Sequence, residues 1–390
     1  MNINWSRSAV AALALVCVMT AGASAQVDVG GQVRPRTEGR AGSGPDDAFT
    51  SMRSRVSVNA ALSTSTRAFV QLQDVRLWGE EVSTTASLNR IDLHQAFIDV
   101  GRDSSLFAAR VGRQEASFGE ERLVGALDWV QSGRAFDGAR VRLNAGSSTL
   151  NVMGFQIADA GAGVPDERFY GLYYTLKPAA AAAVELYGLH NRGGTSELEQ
   201  TTLGGRLAAA YGPLSYRVES AWQGGSRATS DVNAYLVAGT VGLNVTSHAR
   251  VSLWYDRLSG DDEPLDGTVR VFDTLYGTNH KFYGLADIFT NIPVHTAGLG
   301  LQDAALKLSC AVLSTTDAAV ELHHMRAAAD IPLVSDGFVN EADLTLTHRI
   351  SSRLAVQGGV SAVDVLDGLR AVRPDQRDHV FGYMMLNAAF

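Results

Sequence analysis

Cysteine is almost missing from this chain. Of 390 residues two are Cys, Cys17 and Cys310, and Cys17 falls in an N-terminal segment that reads as removed. A single remaining thiol excludes an intramolecular disulfide framework. Lysine is nearly as scarce: among 33 basic positions only Lys177, Lys281 and Lys307 are lysines. The rest are arginines, whose planar guanidinium suits geometrically defined contacts with carboxylates, although a high-GC genome produces the same bias. An excess of positive charge is absent as well. The formal net charge is -8, which argues against nucleic acid as a partner. Beyond Gln26 no apolar stretch is long enough for a membrane helix, and almost nothing has helical period.

The N-terminus carries Arg7, an apolar run from Ala9 to Met19, and Ala23-Ser24-Ala25. That order of positive, apolar and small residues is a secretory signal peptide, residues 1–25, with a cut before Gln26. Losing Arg7 moves the formal charge from -8 to -9.

What the chain has in abundance is alternation. Met52, Val56, Val58, Ala60 and Leu62 fall on one face of a strand, and Arg53, Arg55, Ser57 and Asn59 on the other. Similar segments recur at 68–72, 93–100, 106–112, 137–146, 148–158, 168–177, 182–191, 200–211, 213–224, 232–245, 248–259, 303–313, 317–328, 337–350, 352–363 and 379–390. With an opening strand at 27–36 they number about eighteen, within the usual uncertainty of boundaries. Short turns alternate with longer connections at 37–51, 77–90, 114–136, 159–167, 192–199, 225–231, 260–302, 329–336 and 364–378. An up-and-down barrel with short periplasmic turns and long extracellular loops requires that alternation. Tyr216, Trp222 and Tyr255 stand on the apolar face near strand ends, where interfacial girdles form. The expected fold is all-β, an 18-stranded antiparallel porin-like barrel over 26–390 in the outer membrane of a Gram-negative bacterium. Its surroundings are outer-membrane lipid. The last strand ends in Phe390, a C-terminal aromatic of the kind read by the barrel assembly machinery.

The stretch from Arg113 to Arg142 breaks the alternation. Unpatterned connections of this length are usually functional or disordered, and Phe118, Leu123, Val124, Leu127, Trp129 and Phe136 give this one apolar anchors. Near 113–137 it is expected to fold back and present fixed guanidinium groups. By alternation Arg53, Arg55, Arg67, Arg110, Arg140 and Arg142 face the lumen, and the loop adds Arg113, Arg122 and Arg134. Together these nine are the candidate pore-lining set for an anionic solute, because rings of arginine favour anions. Asp128 and Asp137 are expected to hold the loop by pairing with arginine, and Trp129 and Phe136 to anchor it. Later inward positions, Glu185, Glu219, Asp256, Glu321, Glu341 and Asp343, form an acidic wall opposite the basic one.

Two sets of motifs resemble the alginate export family. The first lies at Gly112-Arg113-Gln114, Arg122-Leu123-Val124-Gly125, Asp128-Trp129 and Arg134-Ala135-Phe136-Asp137-Gly138. The second runs over Tyr255-Asp256, Leu258-Ser259-Gly260-Asp261, Asn279-His280-Lys281-Phe282-Tyr283-Gly284, and Asp287 with Phe289, in the long connection 260–302. The resemblance implies a monomeric 18-stranded outer-membrane barrel, with inward-folded loops narrowing an arginine-rich lumen that passes a polyuronate such as alginate. It adds Asn279, His280, Lys281 and Tyr283 to the site candidates. This chain departs from that family's pattern in being shorter and net acidic.

Enzymatic readings find little support. His323 and His324 are strand neighbours, point to opposite faces and cannot chelate one ion together. Gly260-Asp261-Asp262-Glu263 lacks the ligand spacing of a Ca²⁺ loop. A barrel hydrolase needs a Ser and a His with an orienting third group, and neither such a set nor a Gly-x-Ser-x-Gly elbow is present. The expected function is a passive channel with no cofactor, no metal and no catalytic residue. The competing readings are a general small-solute porin and a structural or adhesion barrel plugged by its own loops.

Overall fold

The computed structural model describes residues 26–42, 47–84, 91–159, 161, 163–330 and 335–390. The leader at 1–25 lies outside the described residues. Eighteen antiparallel strands close into a barrel, in strict sequential order. They are β1 (Gln26–Ala41), β2 (Asp47–Ala61), β3 (Thr66–Leu77), β4 (Asp92–Val100), β5 (Phe107–Gln114), β6 (Phe136–Ala145), β7 (Ser148–Ala158), β8 (Glu167–Ala179), β9 (Ala182–Gly193), β10 (Leu198–Tyr211), β11 (Leu214–Arg227), β12 (Ser230–Asn244), β13 (Ala249–Leu258), β15 (Leu301–Leu313), β16 (Thr316–Arg326), β17 (Gly337–Ser351), β18 (Leu354–Val365) and β19 (His379–Ala389). A two-residue strand, β14 (Thr268–Val269), lies in the connection between β13 and β15 and pairs in parallel with β12.

Closure follows from the pairing of β1 with both β2 and β19. The seam is completed by the last residue. Gly31 N–H donates to the Phe390 carbonyl at 2.9 Å and Phe390 N–H to the Gly31 carbonyl at 3.1 Å. The Phe390 ring lies so close over Gly31 that a Cβ there would stand 2.4 Å from it. Closing the sheet leaves no unpaired edge, which a membrane demands because lipid cannot satisfy backbone hydrogen bonds.

The alternation sorts the two faces. Val56, Val111, Val241 and Leu253 are exposed on the outer wall, and so are Tyr216, Trp222 and Tyr255. Arg53, Arg55, Gln73 and Glu219 are buried toward the interior. The bulk of the core lies inside the barrel: Leu123, Val124 and Phe136 from the first long loop, and Phe272, Phe282 and Phe289 from the second, pack against inward residues such as Phe169, Leu236 and Phe338. One expected long connection is absent: β11 and β12 extend to Arg227 and from Ser230, so a two-residue hairpin with Ala228 at φ +50° replaces the loop at 225–231. That region has strand-rich composition almost to its tip, and its glycines, Gly224 and Gly225, sit inside β11.

Candidate functional site

The two long loops fold inward and zip to each other. Tyr276 N–H donates to the Leu123 carbonyl at 2.9 Å, Gly125 N–H to the Tyr276 carbonyl at 2.9 Å, and Thr278 N–H to the Glu121 carbonyl at 2.8 Å. Val124 and Tyr276 form a parallel bridge. Trp129 is the hub of a second junction. Its ring stacks on His280 at 4.0 Å between centroids, Arg36 lies over its other side at 4.0 Å, and its indole N–H donates to Asp287 at 2.9 Å. His280 Nδ1 is 2.8 Å from the other Asp287 oxygen. Lys281 pairs with Glu121 at 2.9 Å. Asn279 donates to Thr274 Oγ1 at 2.8 Å and to the Thr290 carbonyl at 2.9 Å. The two motif sets are thus the two halves of one plug.

Each barrel wall holds the plug by its own chemistry. On the basic side, Arg53 donates to Asp128 Oδ1 at 2.7 Å and Arg34 to Asp128 Oδ2 at 3.1 Å. Arg34 also reaches the Asp128 carbonyl at 2.8 Å and Gln131 at 3.0 Å, and Arg36 the Trp129 carbonyl at 2.6 Å. Arg55 contacts Gln73, His94 and Glu115. These guanidinium groups tie down a loop that would otherwise carry unsatisfied carbonyls into the barrel. On the acidic side, β17 offers Glu341 to the backbone N–H of Ala286 at 2.7 Å and Asp343 to that of Leu285 at 3.2 Å. Gly284 lies against this wall at φ +84°, and a Cβ there would meet the Glu341 carboxylate at 2.4 Å. Glycine is required by both the left-handed backbone and the close approach.

Arg122 joins the first loop to β11, β13 and the second loop. Only 1 % exposed, it donates to Glu219 of β11 at 3.2 Å, to Asp256 of β13 at 2.6 Å and to the Tyr283 hydroxyl at 3.0 Å, with its guanidinium 4.1 Å over the Phe282 ring. Burial disfavours the cation, but Asp256, Tyr283 and Glu219 outweigh it and hold Arg122 more firmly protonated than a free arginine. Glu120 receives Arg206 at 2.7 Å and also Arg217. Burial pushes its carboxyl up, and Arg217 and Arg206 outweigh that to hold it below the ordinary range. Asp128 is likewise held low, burial being outweighed by Arg53 and Arg34.

The nine candidate pore arginines fall into different surroundings. Arg122 is engaged by buried carboxylates and Arg134 by the carbonyls of Gly125, Tyr276 and Gly277, so both tie the plug together. Arg113 faces outward. Its strand runs to Gln114, so parity with inward Arg110 places Arg113 on the outer face, where it meets Asp137 at 2.6 Å. Asp137 anchors that outer pair and not the loop interior. Phe136 points inward, stacking on Phe155 at 4.9 Å. Arg53 and Arg55 line the wall but are turned to the plug. Arg67 and Arg110 face the lumen and share Asp99 at 2.6 Å and 2.7 Å, and Arg142 pairs with Asp103 in the short turn between β4 and β5. Arg140, opposite Arg110 in the register, has no hydrogen-bonded or ionic acceptor among the described residues. At the acidic loop tip Asp261 is used internally, accepting from Glu263 N–H at 3.1 Å and from Arg270.

Sequence reasoning missed Arg34, Arg36 and Gln131, and quoted Asp287 as a motif residue without assigning its contacts to Trp129 and His280. The same period-two argument extended over Gln32, Arg34 and Arg36 places both arginines inward; nothing local marks Gln131.

The sequence profile of the alginate export family matches residues 25–382. The chain belongs to the alginate export family. No curated protein matches it. Solved structures share the fold at low identity. Pseudomonas aeruginosa OpdL aligns with a TM-score of 0.67 at 12% identity, covering 94% of this chain and 99% of that one. Acinetobacter baumannii OccAB4 gives 0.66 at 10%, covering 94% and 98%, and P. aeruginosa OccK2 (OpdF), solved in complex with glucuronate, gives 0.65 at 12%, also over 94% and 98%. With a closed barrel, an apolar outer wall and this family, the protein is an outer-membrane channel.

Proposed function

We propose that this alginate export family channel passes small carboxylate-bearing solutes, uronate-type sugar acids among them, along the β3–β6 wall. The observation that carries the reading is Arg140, a lumen cation left without an acceptor among the described residues, beside Arg110 and Arg142 in a stretch whose facing carboxylates are Asp99 and Asp103. Arginine suits the planar carboxylate, and a narrow low-dielectric lumen strengthens the attraction over its value in bulk water. The glucuronate bound by OccK2 is a ligand of that chemistry. Passage of a whole polyuronate requires the plug to leave its walls, so the docked state described above favours monomers and short oligomers over the polymer.

The same reading takes the protein as a monomer, processed after Ala25 and inserted through recognition of the strand ending in Phe390. Intact mass of the mature chain is expected to place its first residue at Gln26. Planar bilayer recording in a salt gradient tests the transport reading. Anion preference, with current blocked by glucuronate, is expected. Cation preference of the wild-type pore sinks it. A second reading, a structural barrel sealed by its loops, is favoured by the buried ties of Arg122 to β11, β13 and the second loop, and electrical silence of a correctly folded protein would select it.

A further inference from the structure

The acidic wall contains a group of side chains that plug docking does not use up. Lys307 on β15, Glu321 and His323 on β16, and Glu341 and Asp343 on β17 face one another across adjacent strands, Glu321 opposite Asp343 and His323 opposite Glu341. Asp303 lies behind His323. One atom each of Glu321, His323 and Asp343 falls within a sphere where all lie no more than 4.8 Å apart. His323 Nε2 is 3.3 Å from Glu321 Oε2, about the separation of two tetrahedral ligands on an ion with bonds of roughly 2.1 Å.

Two further observations point to a missing cation. First, the buried carboxylates are incompletely satisfied. Asp343 and Glu341 are 5 % and 2 % exposed, and although one oxygen of each accepts a loop N–H, Asp343 Oδ1 and Glu341 Oε2 receive no N–H or hydroxyl donor among the described residues. A buried lone carboxylate oxygen is costly. Second, His323 is already oriented as a ligand. Its Nδ1 is 2.9 Å from Asp303 Oδ2, the arrangement in which a carboxylate fixes the imidazole so that Nε2 carries the lone pair for a metal. Local charge agrees: Asp303 is matched by His323 and Glu321 by Lys307, at 2.5 Å, while Glu341 and Asp343 form no ion pair among the described residues.

We propose that Glu321, His323 and Asp343 bind one divalent transition-metal cation of the Zn²⁺ type in the lumen wall. A mixed imidazole and carboxylate donor set fits such a borderline ion better than Ca²⁺ or Mg²⁺, which take oxygen ligands. The proton on His323 Nε2 leaves as the ion arrives, Lys307, which holds the same Glu321 Oε2 that faces His323, yields that oxygen to the ion, and the fourth position opens to lumen water beside Glu321, whose side chain is 34 % exposed. Asp343 also carries the Leu285 amide, so the ion fastens the second long loop to β17.

The test uses the full mature barrel in detergent, stripped with EDTA and dialysed against Zn²⁺ with metal quantification. One Zn²⁺ per barrel is expected. His323→Gln and Asp343→Asn each remove saturable binding, Asp303→Asn weakens it by about 10–100-fold, and Lys307→Gln, which removes a competing cation, tightens it. Heat-modifiable migration reports whether each variant is folded. Should the ligand variants fail that check, the Co²⁺-loaded wild type decides: a visible ligand-field band in the tetrahedral range is expected, and its absence overturns the site. Sub-stoichiometric uptake by the wild type, or uptake that survives His323→Gln in a folded barrel, overturns it equally.

Discussion

At the scale of single residues, arginine does two different jobs in this lumen, and neighbouring guanidinium groups separate by what they touch. Arg122 is enclosed by Glu219, Asp256 and Tyr283. Arg122→Gln leaves two buried carboxylates without their counter-charge, which costs about 3 to 5 kcal/mol for a buried pair. Thermal loss of heat-modifiable migration should fall in temperature, and conductance should rise and become noisy as the plug loosens. Arg140 behaves in the opposite sense. Arg140→Ala should leave folding intact and shift the reversal potential toward cations, whereas Arg113→Ala, on the outer face, should not move it. A selectivity change in the Arg113 variant with none in the Arg140 variant would place the conduction path elsewhere. Screening should shrink the Arg140 effect at high salt, since the Debye length falls to about 3 Å at 1 M.

At the scale of elements, the strands were largely legible and the loops were not, for a physical reason. A strand between lipid and lumen announces itself every second residue, as Arg53 and Arg55 against Val56 and Val58 do. A loop that packs inside a barrel draws its partners from far along the chain: Arg122 meets Asp256, and Trp129 meets His280 and Asp287. Arg113 shows how the two interact, because a strand running two residues past its expected end at Gly112 reversed the reading of a side chain. The plug makes two predictions. Gly284→Ala drives a methyl into the Glu341 carboxylate and should release the second loop, giving larger conductance from a barrel of unchanged migration. Acid should release the first. Glu120 and Asp128 have folded-state pKa values below their ordinary ones, so their stabilising contribution is complete above the unfolded values, about 4, and disappears as pH falls through the depressed values. Protease resistance of the loops should therefore hold at pH 7 and 5 and decline below about pH 4. Equal resistance at pH 3 and pH 7 would show that the carbonyl contacts of Arg34 and Arg36 suffice.

At the scale of the whole molecule, charge is distributed across the lumen and not along it. Arg34, Arg36, Arg53 and Arg55 on β1 and β2 lie across the ring from Glu219 and Asp256 on β11 and β13, with Glu341 and Asp343 on β17 between the two, reached from β1 through β19 and β18, and the plug, with acidic Asp128 toward the basic strands and backbone amides toward β17, is complementary to both charges. Reversing one wall should expel it: Arg34→Glu with Arg53→Glu is expected to abolish loop protection from protease while the strands still close. The closure described above also sets an order of events in biogenesis. Gln32 and Asn387, joined at 2.8 Å, are 355 residues apart in sequence, and the first strand stays half-paired until the last one arrives. Both plug loops meet in the middle of the chain, between β5 and β15. The ring can therefore be filled before it is shut, and a chain halted before β19 would present a stoppered but open sheet, with an edge to be shielded by another protein until Phe390 reaches Gly31. Pulse-labelled chains lacking β19 should accordingly show protected loops without the compact migration of the closed ring; loops still open to protease in such chains would mean that the seam forms first.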